Sequence, residues 1–408
     1  MKCRHCGSAL HLPFLDLGSA PPSNAYLTEQ GLRAPELWFP LRLLVCQSCW
    51  LVQTEDHAGR EALFTDDYAY FSSFSSSWLV HAKAYVQATQ SRFGLGAQSR
   101  VVEVAANDGY LLQYVRAAGI PCYGVEPTAS TASAARGKGI DIVERFFGVA
   151  LADELARAGR QADLMVANNV LAHVPDINDF VAGFTRLLKP HGVATFEFPH
   201  LLRMVQQNQF DTVYHEHYSY LSLVALESVF AHNGLRIFDV EELPTHGGSL
   251  RVFAQRADTG RQPLALAVAK LSQVEVDAGM RTAAFYRGLK VRAERVKDDL
   301  LAFLIESKRQ GLGVAAYGAA AKGNTLLNFA GVRPDMLPYV VDRNPAKQGK
   351  FMPGSRIPIV DEAYLQAQRP DRILILPWNL REEVMLQLAY ARKWGGRFVV
   401  AVPQLECL

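Results

Sequence analysis

Residues 213–220 read VYHEHYSY, which sets His215, Glu216 and His217 among Tyr214, Tyr218 and Tyr220. Imidazole, with an ordinary pKa near 6.5, accepts or gives a proton at neutral pH. These residue types suit three readings: a metal site, a general acid/base station, or a crowded polar strand. On a strand, side chains alternate faces, so Glu216 would point away from both histidines. The stretch alone leaves all three open.

The cysteines form a second cluster of reactive types. Cys3-Arg4-His5-Cys6 and Cys46-Gln47-Ser48-Cys49 are two C-x-x-C pairs separated by positions 7–45, while Cys122 and Cys407 stand alone. Each pair presents two thiolates on a tight turn, the arrangement that tetrahedral zinc takes. The interval is long for a zinc ribbon, and redox or free thiols are the competing reading. A disulfide framework does not suit a reducing compartment. Four thiolates would close the coordination sphere, so such a metal holds structure and does no chemistry. That makes zinc a poor candidate for the His-Glu-His stretch.

The elements that must position these groups begin near residue 100. RVVEVA, PCYGVEPT, DIVERFFG, ADLMVANN and VATFEFP read as strands, with helical spacing between them and a final hairpin over GLRIFDVEELPTHGGSLRVFAQR. Repeating β-α units imply a doubly wound parallel sheet with right-handed crossovers. In such sheets ligands sit beyond the carboxyl ends of the strands. The first loop there, EVAANDG, carries Glu103, Asn107, Asp108 and Gly109, and it is not the G-x-G-x-x-G of a dinucleotide site. The second strand ends at Glu126, where a carboxylate can accept both ribose hydroxyls. A glycine-poor first loop with that acid favours S-adenosylmethionine, which has no phosphates. Phe146 and Phe147 could flank an adenine or pack in the core. Asn168, Asn169 and His173 lie on the loop after the fourth strand, over the same end of the sheet.

Residues 261–308 read as helical and charged, with one long amphipathic stretch from VEVDAGM to SKRQG. At 313 a second α/β pattern starts. GAAAKGNT follows a strand and opens a helix, so Lys322 and backbone N–H groups would face a pyrophosphate, although the turn is not a P-loop. Asn324 and Thr325 follow, and Asp342 and the Trp378-Asn379 corner are further candidates for the nucleoside. A packing-only degenerate Rossmann domain is the plain alternative.

The bulk numbers fit this division. A chain of 408 residues is too long for one compact core. A net charge of +2 gives no field that would recruit nucleic acid or an acidic membrane. No apolar run approaches the roughly 18 residues of a membrane span, and MKCRHCGSAL has no apolar signal core, so a cytoplasmic protein is expected.

Taken together, the double C-x-x-C module, EVAANDGYLL, NNVLAHVPDIND, VYHEHYSYLS and AYGAAAKGNTLLN…DRNPAKQGKFMPG…LILPWN resemble the sugar-nucleotide C-methyltransferases over essentially the whole chain, in the same order. The resemblance implies three parts: a zinc-binding module over 1–66, a class I methyltransferase domain over 67–260, and a helical linker with a Rossmann-like sugar-nucleotide domain over 261–408. It implies methyl transfer from S-adenosylmethionine to the carbon beside the ketone of a nucleoside-diphosphate 4-keto-deoxysugar, at C-3, through an enolate. By the same resemblance His217 is the base, with Glu216 and Tyr214 around it, and His173 and Tyr68 lie near the reacting sugar. Cys3, Cys6, Cys46 and Cys49 hold structural zinc. The chemistry asks for such a set, since a base alone contributes about 10²- to 10⁴-fold and enolate formation also needs donors to the oxyanion. N- or O-methylation of a sugar, and a non-catalytic zinc protein that binds S-adenosylmethionine, are the alternatives. An oxidoreductase would need a dinucleotide fingerprint that neither α/β half carries. No residue pattern fixes an oligomeric state, and a monomer is compatible with all of this.

Overall fold

The computed structural model describes residues 1–57 and 71–408. Both C-x-x-C pairs fold into the same knuckle. The Gly7 amide donates to the Cys3 carbonyl at 3.0 Å and the Trp50 amide to the Cys46 carbonyl at 2.8 Å. The closing residue has positive φ each time, 73° at Gly7 and 61° at Trp50. Glycine takes that conformation freely, whereas a tryptophan must be held there, and Trp50 is stacked flat on Tyr286 at 5.9 Å. Strands β1 (Leu12–Ala20), β2 (Phe39–Val45) and β3 (Val52–Thr54) form an antiparallel sheet around the knuckles. The fourth strand of that sheet comes from far along the chain. It is Ser219–Tyr220, just after the His-Glu-His stretch.

The middle of the chain enters on helix α1 (Ser76–Phe93), capped by Ser75 at its start and closed by Gly94 at φ 61°. Then follow β4 (Val101–Val104), α2 (Leu112–Ala117), β5 (Cys122–Val125), α3 (Ala129–Gly137), β6 (Ile142–Val143), α4 (Val149–Arg157), β7 (Ala162–Asn168), α5 (Ile177–Leu187), β8 (Leu188–Pro199) and α6 (Leu201–Gln206). After the strand at Ser219–Tyr220, here β9, come α7 (Leu223–His232), β10 (Leu235–Leu243) and β11 (Ser249–Arg256). The strand order is β10-β11-β8-β7-β4-β5-β6, parallel except for β11, which runs antiparallel to β8 and β10. This is the class I methyltransferase sheet, with its switch point between β4 and β7 and its last strand inserted as a hairpin. β4 is buried on both faces, which is why three of its four residues are valine, with Glu103 buried among them. Lys189 to Gly192 belong to β8, since Leu188 already pairs with Ala162.

The linker is two helices, α8 (Leu266–Asp277) and α9 (Leu289–Arg309), where the periodicity suggests one long stretch. Gly279 at φ 87° and Gly288 at φ 91° break it, since both sit in conformations that a continuing helix excludes. The last part is β12 (Val314–Tyr317), α10 (Ala321–Ala330), β13 (Val340–Val341), β14 (Ile359–Val360), α11 (Glu362–Gln368), β15 (Arg372–Ile375), α12 (Arg381–Gln387), β16 (Arg397–Val400) and β17 (Glu406–Cys407). Its sheet runs β14-β13-β12-β15-β16-β17, with only β17 antiparallel.

These parts are not packed as beads. One continuous apolar cluster contains Phe14 and Leu43 of the first sheet, Tyr286 and Leu300 of the linker, and Val341 and Ile373 of the last sheet. The knuckles, with Leu51, pack instead into the core of the methyltransferase sheet. The first module is thus shared between the two α/β bodies. No helix among the described residues is long and apolar enough to cross a membrane.

Candidate active site

A cavity of about 350 Å³ opens at the carboxyl end of the methyltransferase sheet and reaches the start of α10. Its wall includes Asn107, Glu126, Phe147, Asn168 and Asn169 at one end, and Asn24, Lys322 and Lys347 at the other. His173, Tyr214, Glu216 and His217 lie between them in the same wall.

The His-Glu-His stretch is a turn, not a strand, closed by the His217 amide donating to the Tyr214 carbonyl at 3.0 Å. Its two histidines therefore part company. His215 leaves the cavity, donates through Nε2 to the Pro40 carbonyl at 3.2 Å and meets the edge of Phe39. His217 is buried at the cavity, and its Nδ1 lies 2.9 Å from the Thr212 carbonyl. A carbonyl only accepts, so Nδ1 carries the proton and Nε2 keeps its lone pair. Onto Nε2 the Tyr214 hydroxyl donates at 2.8 Å. The His173 ring meets the His217 ring edge-on at 4.6 Å. Burial drives His217 well below its ordinary value, with His173 adding to the shift, and burial drives His173 to about 4. Both rings are neutral at physiological pH. Glu216 accepts from the Asn24 amide at 2.6 Å, and burial pushes its carboxyl up to about 7.

All three parts of the chain hold this turn. From the first module, Thr54 donates to the His217 carbonyl at 3.0 Å. From the last domain, Thr325 donates to the Val213 carbonyl at 2.8 Å. From the methyltransferase body, the Ala172 carbonyl accepts the Tyr218 amide at 2.7 Å, which ties the turn to the His173 segment.

At the donor end, Glu126 is buried and receives the Asn107 and Thr128 amides at 2.9 and 3.0 Å. Ala105 and Asn107 both have positive φ, so the first loop folds back tightly over the strand end. Phe147 packs edge-on against Phe180 and Phe184 while one side faces the cavity. Glu103, Asp108 and Gly109 are outside the wall. Glu103 is buried within the sheet, where desolvation holds its carboxyl well above the usual range, and Asp108 pairs with Lys138 at 3.3 Å.

At the far end Lys322 alone of the predicted nucleotide residues reaches the cavity. Its Nζ donates to Asn379 at 2.6 Å and sits 4.8 Å from the Trp378 ring, whose indole N–H donates to buried Asp211 at 2.8 Å. Asp342 accepts the Ala319 amide at 2.8 Å and so caps the turn from outside. Asn324 is buried and accepts from Asn328, and Thr325 is spent on Val213. Tyr68 lies outside the described residues. Asn24, Lys347 and His246 are among the cavity residues not singled out from sequence. Lys347 sits in the NPAKQG segment already noted, whereas Asn24 and His246 lie on turns without periodicity. His246 has φ 56°, lies 3.1 Å from the Asn169 amide, and is driven to about 4 by burial.

Away from the cavity, the Sγ atoms of Cys3, Cys6, Cys46 and Cys49 all lie within 4.8 Å of one another, and no other such cluster occurs among the described residues. Tetrahedral zinc with bonds of about 2.3 Å would set its sulfurs roughly 3.8 Å apart, so the four thiols fit it.

Three family models match in chain order: a zinc binding domain over residues 3–64, a methyltransferase domain over 79–240, and the C-methyltransferase C-terminal domain over 244–403. The C-methyltransferase NovU of Streptomyces niveus is 34% identical over 403 residues, 99% of this chain and 96% of that one. This chain belongs to that family of C-methyltransferases. It is an S-adenosylmethionine-dependent enzyme that methylates carbon, and its first part is a zinc binding domain in which four cysteines cluster. Solved structures are similar over up to half of the chain. Magnesium protoporphyrin IX methyltransferase from Synechocystis PCC 6803 is 14% identical over 50% of this chain and 100% of its own, with a TM-score of 0.36. An S-adenosylmethionine-dependent methyltransferase from Clostridium acetobutylicum is 12% identical over 43% and 90%, with a TM-score of 0.35.

Proposed function

We propose that this C-methyltransferase acts on a nucleoside-diphosphate 4-keto-deoxysugar and places the methyl group on C-3, the carbon beside the ketone. The observation that carries this reading is the fixed tautomer of His217, which keeps an unprotonated Nε2 in a cavity bounded by a ribose-type acid at one end and two lysines at the other. The lysines, Lys322 and Lys347, flank the first turn of α10 and suit a diphosphate. Glu126 suits the ribose diol of S-adenosylmethionine, with Asn107, Phe147, Asn168 and Asn169 around it.

In this reading the C-3 proton passes to His217 Nε2, directly or through the Tyr214 oxygen, and the C–H electron pair becomes the enolate. The oxyanion needs donors, and the family resemblance puts His173 and Tyr68 beside it. The enolate carbon attacks the donor methyl, the C–S pair returns to sulfur, and S-adenosylhomocysteine leaves while His217 yields its proton to solvent. Glu216, poised near neutrality, orients the sugar with Asn24. The reaction belongs to deoxysugar biosynthesis in the cytoplasm.

The test is turnover with ¹³C-methyl-labelled donor and a nucleoside-diphosphate 4-keto-deoxysugar. The reading expects the label on a ring carbon next to the ketone, seen by carbon-carbon coupling or long-range proton correlation. Label on nitrogen or oxygen would overturn it.

A further inference from the structure

The metal knuckle touches the catalytic segments through one side chain. Arg4 sits between the first two thiolate ligands, and its side chain is 5% exposed. All five of its guanidinium N–H groups are used. Nε donates to the Tyr218 carbonyl at 3.2 Å, one terminal nitrogen to the Pro175 carbonyl at 3.2 Å and to Asp56 at 3.1 Å, and the other to the Thr54 carbonyl at 2.9 Å and to Asp56 at 2.6 Å. The guanidinium also lies 5.0 Å from the Tyr218 ring centre. Asp56 supplies the counter-charge at the surface.

Each carbonyl acceptor has a catalytic neighbour. Tyr218 follows His217, and Pro175 is two residues beyond His173. Thr54 is the residue whose hydroxyl holds the His217 carbonyl. The Tyr218 amide joins the two histidine segments through the Ala172 carbonyl, and Arg4 bridges them from the side. A planar five-donor fork fixes three carbonyls at once, which a lysine ammonium does not reproduce. We infer that Arg4 is a positioning residue which couples the zinc knuckle to the spacing of His173 and His217. The knuckle then does more than stabilise a module: its backbone sets the origin from which the two rings are placed. This inference rests on reading those histidines as the reacting pair.

The test is Arg4→Gln in the full chain, read four ways: zinc content, S-adenosylmethionine affinity, turnover, and ¹⁵N-histidine NMR of the His217 tautomer. The wild type should show a single His217 signal with the proton on Nδ1. In the variant, zinc content and donor affinity should stay within twofold of wild type, while kcat falls about 10- to 100-fold, the loss that a misplacement near 1 Å brings. The His217 tautomer signal should split or broaden, and Arg4→Lys should not restore it. Unchanged kcat and an unchanged His217 signal at full zinc content would overturn the inference. If Arg4→Gln loses zinc, Asp56→Ala decides, because Asp56 holds the guanidinium from outside the knuckle: a shifted His217 signal supports the clamp, and a wild-type signal refutes it. The NMR readout needs no sugar, so it separates failure here from failure of the substrate reading.

Discussion

His217 and Glu216 are adjacent, and burial shifts them in opposite directions toward the same uncharged state. Burial keeps the imidazole neutral and ready to accept, and the same burial keeps the carboxyl protonated until about pH 7. The second effect has a stability signature. The Glu216 carboxyl ordinarily titrates at 4.5, so between that pH and about 7 the folded state binds more protons than the unfolded chain. Stability linked to Glu216 is therefore fully present below pH 4.5 and is lost as pH rises to 7. Glu216→Gln should remove this slope, so that wild type loses melting temperature relative to the variant from pH 4.5 to 7.5. Parallel curves for the two proteins, measured by calorimetry, would contradict the assignment. The sequence shows the residues of VYHEHYSY but not their directions, because a strand reading sends Glu216 away from both histidines. Only the turn, fixed by contacts from remote segments, brings Tyr214 onto His217 and sends His215 elsewhere.

At the scale of elements, two strand ends and one helix start line the cavity. β5 delivers Glu126 by ending one residue before it, and the loop after β4 folds back to give that carboxylate the Asn107 amide. Glu126→Ala should raise the dissociation constant for S-adenosylmethionine by about 10- to 100-fold, the scale of a lost hydrogen bond to a charged group, with nucleotide binding unchanged. An unaltered constant by titration calorimetry would move the ribose site elsewhere. α10 brings Lys322 to the opposite end, with Trp378, Asn379 and Asp211 around it. Lys322→Met should weaken binding of a nucleoside diphosphate by at least about tenfold and flatten its salt dependence, leaving donor affinity intact. Alternating β-α patterns made both sheets legible, because a strand buried on both faces reads as a short β-branched run. Asp342, Asn324 and Thr325 sit beside the expected phosphate turn in sequence, but Asp342 and Thr325 bond neighbouring backbone and Asn324 bonds Asn328 of its own helix. Proximity in the chain identified the element and not which of its side chains reaches the cavity.

For the whole molecule, the shared cores matter most. The first sheet packs with the last domain, its knuckles pack with the methyltransferase body, and β9 returns from the catalytic turn to complete that sheet. A linear division of the chain describes the order of its parts but misses this interlock, since contacts between residues near 14, 220 and 300 leave no local periodicity. The interlock predicts that damage to the metal site spreads. Cys46→Ser should lose zinc and lower the unfolding temperature of the whole protein in one transition, rather than melting the first module alone. Two separated transitions, one of them at the wild-type temperature, would show that the bodies are independent.

Because the central claim is that His217 makes a carbanion equivalent before methyl transfer, the most direct measurement is solvent exchange. The protein is held in deuterated water with a nucleoside-diphosphate 4-keto-deoxysugar and no methyl donor, and the sugar is followed by mass spectrometry and NMR. Deuterium should appear at the carbon beside the ketone with wild type, and none above background with His217→Gln, whose donor affinity should remain intact. Equal exchange by both proteins, or methyl transfer by wild type with no exchange under any condition, would contradict that claim.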